Sequence, residues 1–290
     1  LISILYFLFY FYFIMSNLNF NYEDLAQAIN QNKELNFIAV QFAKEFQNEA
    51  QIEIFEKISS KLNEEKTVYI IGDTSYGSCC CDEITAEHLD CDIIIRVGSS
   101  CFTRNTHIPI YFLFNNLNYS DQEKDSCINK INESIKNIDI TKENIFLFYN
   151  EQTQLNLISK IKENFKEKLI YTDIENDEIP INKQKNDNLL YGRNMHNKNI
   201  EKDSNIIYIG KRSDYILDEL IHRYINKIKS INFIDMNNFE IENIAAAEGN
   251  TFLYKRFNLI QKAKEASTFG ILVGSLSLPN LNDIIYFTDI

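Results

Sequence analysis

Residues 68–83 read Val-Tyr-Ile-Ile-Gly-Asp-Thr-Ser-Tyr-Gly-Ser-Cys-Cys-Cys-Asp-Glu, an apolar run followed by a turn and three consecutive cysteines. Four successive apolar residues that stop at a glycine are typical of a strand buried on both faces. The thiols of Cys79, Cys80 and Cys81 therefore lie just beyond the end of a predicted strand. Clustered soft ligands in that position favour metal binding or redox chemistry over packing.

Similar apolar runs alternate with helical periodicity along most of the chain. The predicted strands are residues 37–42, 68–71, 91–97, 108–114, 144–149, 168–172, 205–209, 231–235 and 269–274. The predicted helices are residues 22–29, 51–62, 79–89, 152–165, 214–228 and 255–266. Near-continuous apolar strands separated by helices indicate parallel sheets that are covered on both faces. We predict an α/β fold of repeated small parallel-sheet domains with helices on both faces.

Polar segments divide this pattern into units. Residues 115–143 are predicted to be a polar connection, and residues 175–204, rich in Asn, Lys, Asp and Glu, a long loop. The predicted units are an apolar leader outside the native structure (1–21), a first α/β domain carrying the cysteines (22–130), a second α/β domain (131–266) and the start of a truncated third domain (267–290).

The leader begins with residues 1–14, which are almost wholly apolar and aromatic. A membrane-spanning helix needs about 20 apolar residues, and a signal peptide needs a basic region and a small-residue cleavage site. Neither pattern occurs, and Met15 is the first methionine. We expect residues 1–14 to be upstream read-through of the gene model, with a short membrane anchor as the alternative.

The bulk composition limits the function classes. Of the 290 residues, 45% are hydrophobic and 24% are charged, as in ordinary soluble globular proteins. The formal net charge of -12 argues against nonspecific nucleic-acid binding, which needs an excess of Lys and Arg. The cysteines are unevenly spaced and no secretory signal precedes them, which argues against a disulfide framework. The composition predicts a cytoplasmic protein that binds neither nucleic acid nor membrane.

The cysteines differ in their predicted positions on the sheet. Cys79 follows the strand at residues 68–71, and Cys101 follows the strand at residues 91–97, so both fall at the carboxyl edge where ligands of open α/β sheets gather. Cys91 starts its strand at the opposite edge and is expected to be a small buried hydrophobe. Cys127, in the polar connection, has no expected role.

A helix that begins at the three cysteines would separate their side chains by about 100° each, so that one or two of them face a common ligand. A thiol in the first helical turn also gains from the helix dipole. This favours Cys79, with Cys80 second, although cysteines used only for packing remain an alternative. No CxxC pair suited to zinc occurs. The histidines are expected to be surface or capping residues: His88, His107, His196 and His222.

The stretch at residues 72–88, Gly-Asp-Thr-Ser-Tyr-Gly-Ser-Cys-Cys-Cys-Asp-Glu-Ile-Thr-Ala-Glu-His, together with Gly98-Ser-Ser-Cys101, resembles the diphthamide synthesis family. Its details are more similar to subunit 2 of that family than to the catalytic subunit 1. Supporting similarity lies at residues 38–42, 191–193, 254–263 and 269–275.

The resemblance implies three similar α/β domains whose cysteines converge on a [4Fe-4S] cluster. In the family, the reduced cluster cleaves S-adenosylmethionine, and the resulting 3-amino-3-carboxypropyl radical adds to a histidine of translation elongation factor 2. Subunit 2 forms a heterodimer with subunit 1 and helps to keep its cluster reduced. A small iron-carrying protein donates the electrons.

Carried over by residue, the resemblance makes Cys79, Cys101 and the neighbouring Cys80 the metal ligands, and Cys81 incidental. No cysteine follows Cys127, so we expect the chain, as a truncated form, not to complete the cluster site by itself. The implied function is that of an accessory iron–sulfur subunit without catalytic residues of its own, inside a transferase complex. The alternative is a noncatalytic scaffold that stabilises the catalytic subunit without a cluster.

Overall fold

The computed structural model describes residues 18–46, 48–72, 79–102, 107–136, 138–139, 141–174, 176 and 189–270. The leader at residues 1–14 and most of the predicted strand at residues 269–274 lie outside these ranges. Along the described part of the chain, strands alternate with helices, and most strand pairs are parallel. The predicted α/β fold class is therefore confirmed.

The first sheet consists of four parallel strands, β1 (Phe37–Phe42), β2 (Thr67–Ile71), β3 (Ile93–Val97) and β4 (Ile110–Leu113). They lie in the order β2-β1-β3-β4. The helices of this sheet are α1 (Tyr22–Asn30), α2 (Asn48–Lys61) and α3 (Glu83–His88). Every residue of β3 is buried, because this central strand has helices on both faces. Ile93 and Ile95 pack with α1 and α2, whereas Ile94 packs with Ala86 of α3.

The strand that precedes the three cysteines is less buried than the sequence predicts. β2 is an edge strand in which only Ile71 is buried, and Ile70 is 43% exposed. The prediction that residues 68–71 are buried on both faces was wrong. An unbroken apolar run does not reveal whether a strand has one neighbour or two.

The second sheet consists of five strands, β5 (Asn144–Tyr149), β6 (Ile170–Tyr171), β10 (Ser204–Gly210), β11 (Ser230–Asp235) and β12 (Ile241–Asn243). They lie in the order β12-β11-β10-β5-β6 and are parallel except for β12. Its helices are α4 (Asp121–Ile135), α5 (Ser159–Phe165), which follows a 3₁₀ turn and a π-helical turn, and α6 (Tyr215–Tyr224).

Helix α4 occupies the segment predicted to be a polar connection, so that prediction was wrong. Ser120 caps the helix: its hydroxyl accepts from the backbone N–H of Glu123, whose carboxylate accepts from the N–H of Ser120. Cys127, Ile131 and Ile135 are buried against the second sheet. Polar residues cover the outer face, which hides the apolar stripe in a composition average.

The predicted long loop at residues 175–204 also contains ordered structure. It contributes β8 (Leu189–Leu190) and β9 (Arg193–Asn194), which form a small antiparallel sheet with β7 (Asp173–Ile174) in the order β7-β9-β8. Tyr191 and Gly192 form the turn between β8 and β9, both with positive φ. This turn brings Arg193 into the interior, where it is fully buried.

The chain divides into two compact units, residues 1–249 and residues 250–290. All three sheets described above belong to the first unit. The second unit contains most of the last helix, α7 (Ala246–Glu265), on which Leu253, Tyr254 and Phe257 are exposed. In the described part of the chain, no helix is both long and apolar enough to span a membrane. The domain limits inferred from the sequence stay predictions.

Candidate metal centre

Three cysteine sulfurs converge at the carboxyl edge of the first sheet. The Sγ atoms of Cys80 and Cys101 are 3.6 Å apart, and those of Cys79 and Cys80 are 3.9 Å apart. All three sulfurs lie within 4.8 Å of one another, and within the described ranges this is the group of three or more ligand residues that could hold a metal ion. We call Cys79, Cys80 and Cys101 the cysteine triad.

The strand order explains why the triad can form. Strands β2 and β3 lie on either side of β1, so the segments that follow them meet above the end of β1. The carbonyl oxygen of Cys79 accepts a hydrogen bond from the backbone N–H of Cys101 at 3.2 Å. It also accepts from the hydroxyl of Ser100 at 3.1 Å. These bonds hold the two cysteine-bearing loops together at the backbone level.

Gln41, near the carboxyl end of β1, holds the segment that bears Cys80 through two side-chain hydrogen bonds. The side chain is only 3% exposed. Its Nε2 donates to the carbonyl of Cys80 at 3.1 Å, and its Oε1 accepts from the N–H of Asp82 at 3.0 Å. Sequence reasoning missed this residue, although a single polar side chain in an otherwise apolar strand was the available signal.

The cysteines precede helix α3 rather than starting it. Asp82 is the N-cap, with Oδ1 accepting from the N–H of Thr85 at 3.0 Å and Oδ2 from its hydroxyl at 2.7 Å. The prediction of a helix from residue 79, and the rotation argument built on it, were therefore wrong. In the irregular segment before the cap, Cys79 and Cys80 both approach Cys101. Cys80, rather than Cys79, lies at the centre of the triad.

Protonation of the triad depends on what occupies it. Burial, and then the neighbouring thiols of Cys101 and Cys79, together raise the pKa of the Cys80 thiol to about 12. Without a cation the thiol is neutral, because a second negative sulfur nearby would be repelled. A metal ion removes that repulsion by binding thiolates, so metal binding must release protons.

Two further cysteines and two histidines are not members of the triad. Cys91 is buried, as predicted, two residues before β3, and Cys127 is fully buried in α4. Burial raises the pKa of both thiols, to about 11 and about 12 respectively. Nδ1 of His107 lies 3.4 Å from the carboxylate of the exposed Glu87, and Nε2 of His196 lies 3.4 Å from that of the half-buried Asp173.

We expect Gln41→Leu to weaken both the fold and the metal site. The substitution preserves volume but leaves the Cys80 carbonyl and the Asp82 N–H without their partner, at a cost of about 1–3 kcal/mol for each buried group. Urea unfolding and Zn²⁺ affinity measure the two effects. Gln51→Leu is the matched control, because it also removes a side-chain hydrogen bond to the backbone, the one that Gln51 Nε2 donates to the Phe46 carbonyl. Equal zinc affinities in the two variants would show that Gln41 does not organise the triad.

Comparison with known proteins identifies the chain's family. A family model described as "Putative diphthamide synthesis protein" matches residues 13–286. The chain belongs to the diphthamide synthesis protein family. This confirms the resemblance seen in the cysteine motif.

Curated relatives carry the name 2-(3-amino-3-carboxypropyl)histidine synthase subunit 2. The zebrafish (Danio rerio) protein is 28% identical over 260 residues, covering 86% of this chain and 50% of the relative. The Schizosaccharomyces pombe protein is 24% identical over 269 residues, covering 88% of this chain and 51% of the relative. The chain thus spans about half the length of these relatives.

A solved structure shares the fold. The crystal structure of Dph2 from Pyrococcus horikoshii with a 4Fe-4S cluster matches with a TM-score of 0.52 and 17% identity, covering 84% of this chain and 65% of that one. At this identity the likeness concerns the fold.

Proposed function

We propose that this chain is an accessory iron–sulfur subunit for the first step of diphthamide synthesis. The observation that carries the proposal is the convergence of three thiols within 4.8 Å at the sheet edge. Relatives named for transfer of a 3-amino-3-carboxypropyl group to histidine, and a fold neighbour solved with a 4Fe-4S cluster, support it.

The donor chemistry of the triad fits such a cluster. Iron–sulfur clusters are held by cysteine thiolates, and three soft thiolates from one chain leave a position for a further ligand. Cys101 and Cys80, together with the more exposed Cys79, would hold the cluster, while Gln41 and Asp82 orient the loop that bears them. A bound cluster would supply single electrons.

The partners follow from this role. The chain would pair with a catalytic subunit 1, keep that subunit's cluster reduced, and receive electrons from a small iron-carrying protein. Subunit 1 would then transfer the 3-amino-3-carboxypropyl group from S-adenosylmethionine to a histidine of translation elongation factor 2. The setting would be the cytoplasm.

The test is anaerobic reconstitution of the chain with subunit 1, followed by measurement of bound iron and sulfide and of modified elongation factor. We expect the Cys79→Ala/Cys101→Ala variant to lose iron and to support at least about tenfold less modification. Cys81→Ala is the control, because Cys81 is adjacent in sequence and outside the triad. Full activity of the double variant would overturn the proposal and favour the noncatalytic scaffold, which needs no cluster of its own.

A further inference from the structure

We propose that the turn between β8 and β9, together with the buried Arg193 that follows it, positions Cys101 by acting through Phe102. The proposal deepens the metal-binding function, and its consequence for metal affinity rests on that function. The position of the Cys101 thiol itself can be tested without metal.

Phe102 is held in an unfavourable backbone conformation directly after Cys101. Its φ is 56°, and its side chain is 2% exposed. The ring packs edge-on against Phe112 and Phe114, with centroids 5.3 and 5.9 Å away. A non-glycine residue at positive φ costs about 1–3 kcal/mol and persists only where its surroundings enforce it. The contacts around Phe102 therefore determine the direction of the chain at Cys101.

Gly192 provides one of those contacts. Its φ is 69°, and a Cβ atom added there would lie 2.2 Å from the Cβ of Phe102 and 2.6 Å from its carbonyl oxygen. Only a residue without a side chain lets the turn come this close. The turn between β8 and β9 thus rests directly on the backbone that follows Cys101.

Arg193 connects Phe102 to the second sheet. Its Nη1 donates to the Thr172 carbonyl at 3.2 Å, and its Nη2 donates to the Tyr149 carbonyl at 2.5 Å. The guanidinium lies 5.6 Å from the centroid of the Phe102 ring and 4.9 Å from that of Tyr149. The end of β5 therefore fixes Arg193, and Arg193 fixes the ring of Phe102.

Cross-linking by dibromobimane tests the positioning role, because this reagent bridges only thiols that are close together. The metal-free chain carries Cys79→Ala and Cys81→Ala, so that Cys80 and Cys101 are the accessible pair. We expect fluorescent cross-linking to be largely lost on adding Phe102→Leu or Arg193→Met, because the two thiols then no longer stay within bridging distance. Leu220→Ala, a buried truncation in α6, controls for lost stability and should leave cross-linking unchanged. Unchanged cross-linking in a folded Phe102→Leu or Arg193→Met variant would refute the positioning role.

Zn²⁺ affinity, measured by competition with a chromophoric chelator, tests what this positioning does for the metal site. We expect Arg193→Met to weaken binding about 10–100-fold and Leu220→Ala to leave it unchanged. Unchanged affinity of a folded Arg193→Met variant would show that the contacts of Phe102 do not organise the metal site. Failure of the unsubstituted chain to bind Zn²⁺ would refute the proposed metal function, while the cross-linking result would still decide the positioning role.

Discussion

Replacing Cys80 by alanine is expected to lower the affinity of the chain for Zn²⁺ by at least about 100-fold. Cys80 is the central member of the triad, with sulfur distances of 3.6 Å to Cys101 and 3.9 Å to Cys79. Zn–S bonds of about 2.3 Å in tetrahedral geometry place two thiolates about 3.8 Å apart. The triad can therefore chelate a single tetrahedral ion with little rearrangement, which makes Zn²⁺ a redox-silent probe of the site.

The pH dependence of the same measurement follows from the raised pKa of Cys80. Because this pKa is about 12, the thiol is protonated across the accessible pH range, and zinc must displace its proton. The affinity should increase as pH rises, by roughly tenfold per pH unit for each proton released. Cys80→Ala should show a shallower dependence, since one displaced proton is lost with the thiol.

Cys81→Ala serves as the control for this prediction and should retain the zinc affinity of the unsubstituted chain. Cys79→Ala should weaken binding less than Cys80→Ala, because Cys79 is exposed and at the end of the triad. A Cys80→Ala variant that binds zinc normally, or a Cys79→Ala variant with the larger loss, would show that the sulfur positions described above are not those of the binding site.

Sequence reasoning predicted which edge of the sheet brings the cysteines together, but not which cysteine lies at the centre of the triad. Continuous apolar runs located β2 and β3, and the carboxyl ends of these parallel strands bring Cys79 and Cys101 to one edge. The ranking of Cys79 over Cys80 came from a helix assumed to begin at residue 79. Asp82, three residues later, is the N-cap of α3. Its side chain accepts a hydrogen bond from a backbone N–H of the first turn, so the helix begins after Asp82 rather than at Cys79. Local patterns locate helices better than they locate their first residue.

The parts of the site that sequence reasoning missed are those that depend on long-range packing. Gln41 and Arg193 act through hydrogen bonds to carbonyl groups that are distant in sequence, and no periodicity marks such partners. Arg193 lies in a segment whose composition indicates a loop, yet it is fully buried. A polar residue inside a buried strand, or an isolated Tyr-Gly-Arg turn, becomes informative only when its neighbours in space are known.

Gly98→Ala is expected to destabilise the chain by about 2–5 kcal/mol, through a positive φ and overpacking together. Gly98 follows β3 with a φ of 90°, and an added Cβ would lie 2.5 Å from both Oε1 of Glu45 and Cε2 of Phe46. The backbone cannot retreat easily, since the N–H of Gly98 donates to the Leu113 carbonyl at 3.0 Å. Glu45 is also held, because its Oε1 accepts from the N–H of Ser99 at 2.7 Å.

Gly72 offers a matched control for this substitution. It follows β2 at the same edge of the same sheet, but a Cβ there meets no atom within 4 Å and its φ is not positive. Urea unfolding of the two alanine variants should separate them clearly, with Gly72→Ala within about 0.5 kcal/mol of the unsubstituted chain. Because Cys101 lies three residues beyond Gly98, zinc affinity should fall in Gly98→Ala even under conditions where it stays folded. Equal stabilities for the two variants would mean that the loop carrying Cys101 is not packed against residues 43–46, and the triad would lose the rigid support that the sheet edge gives it.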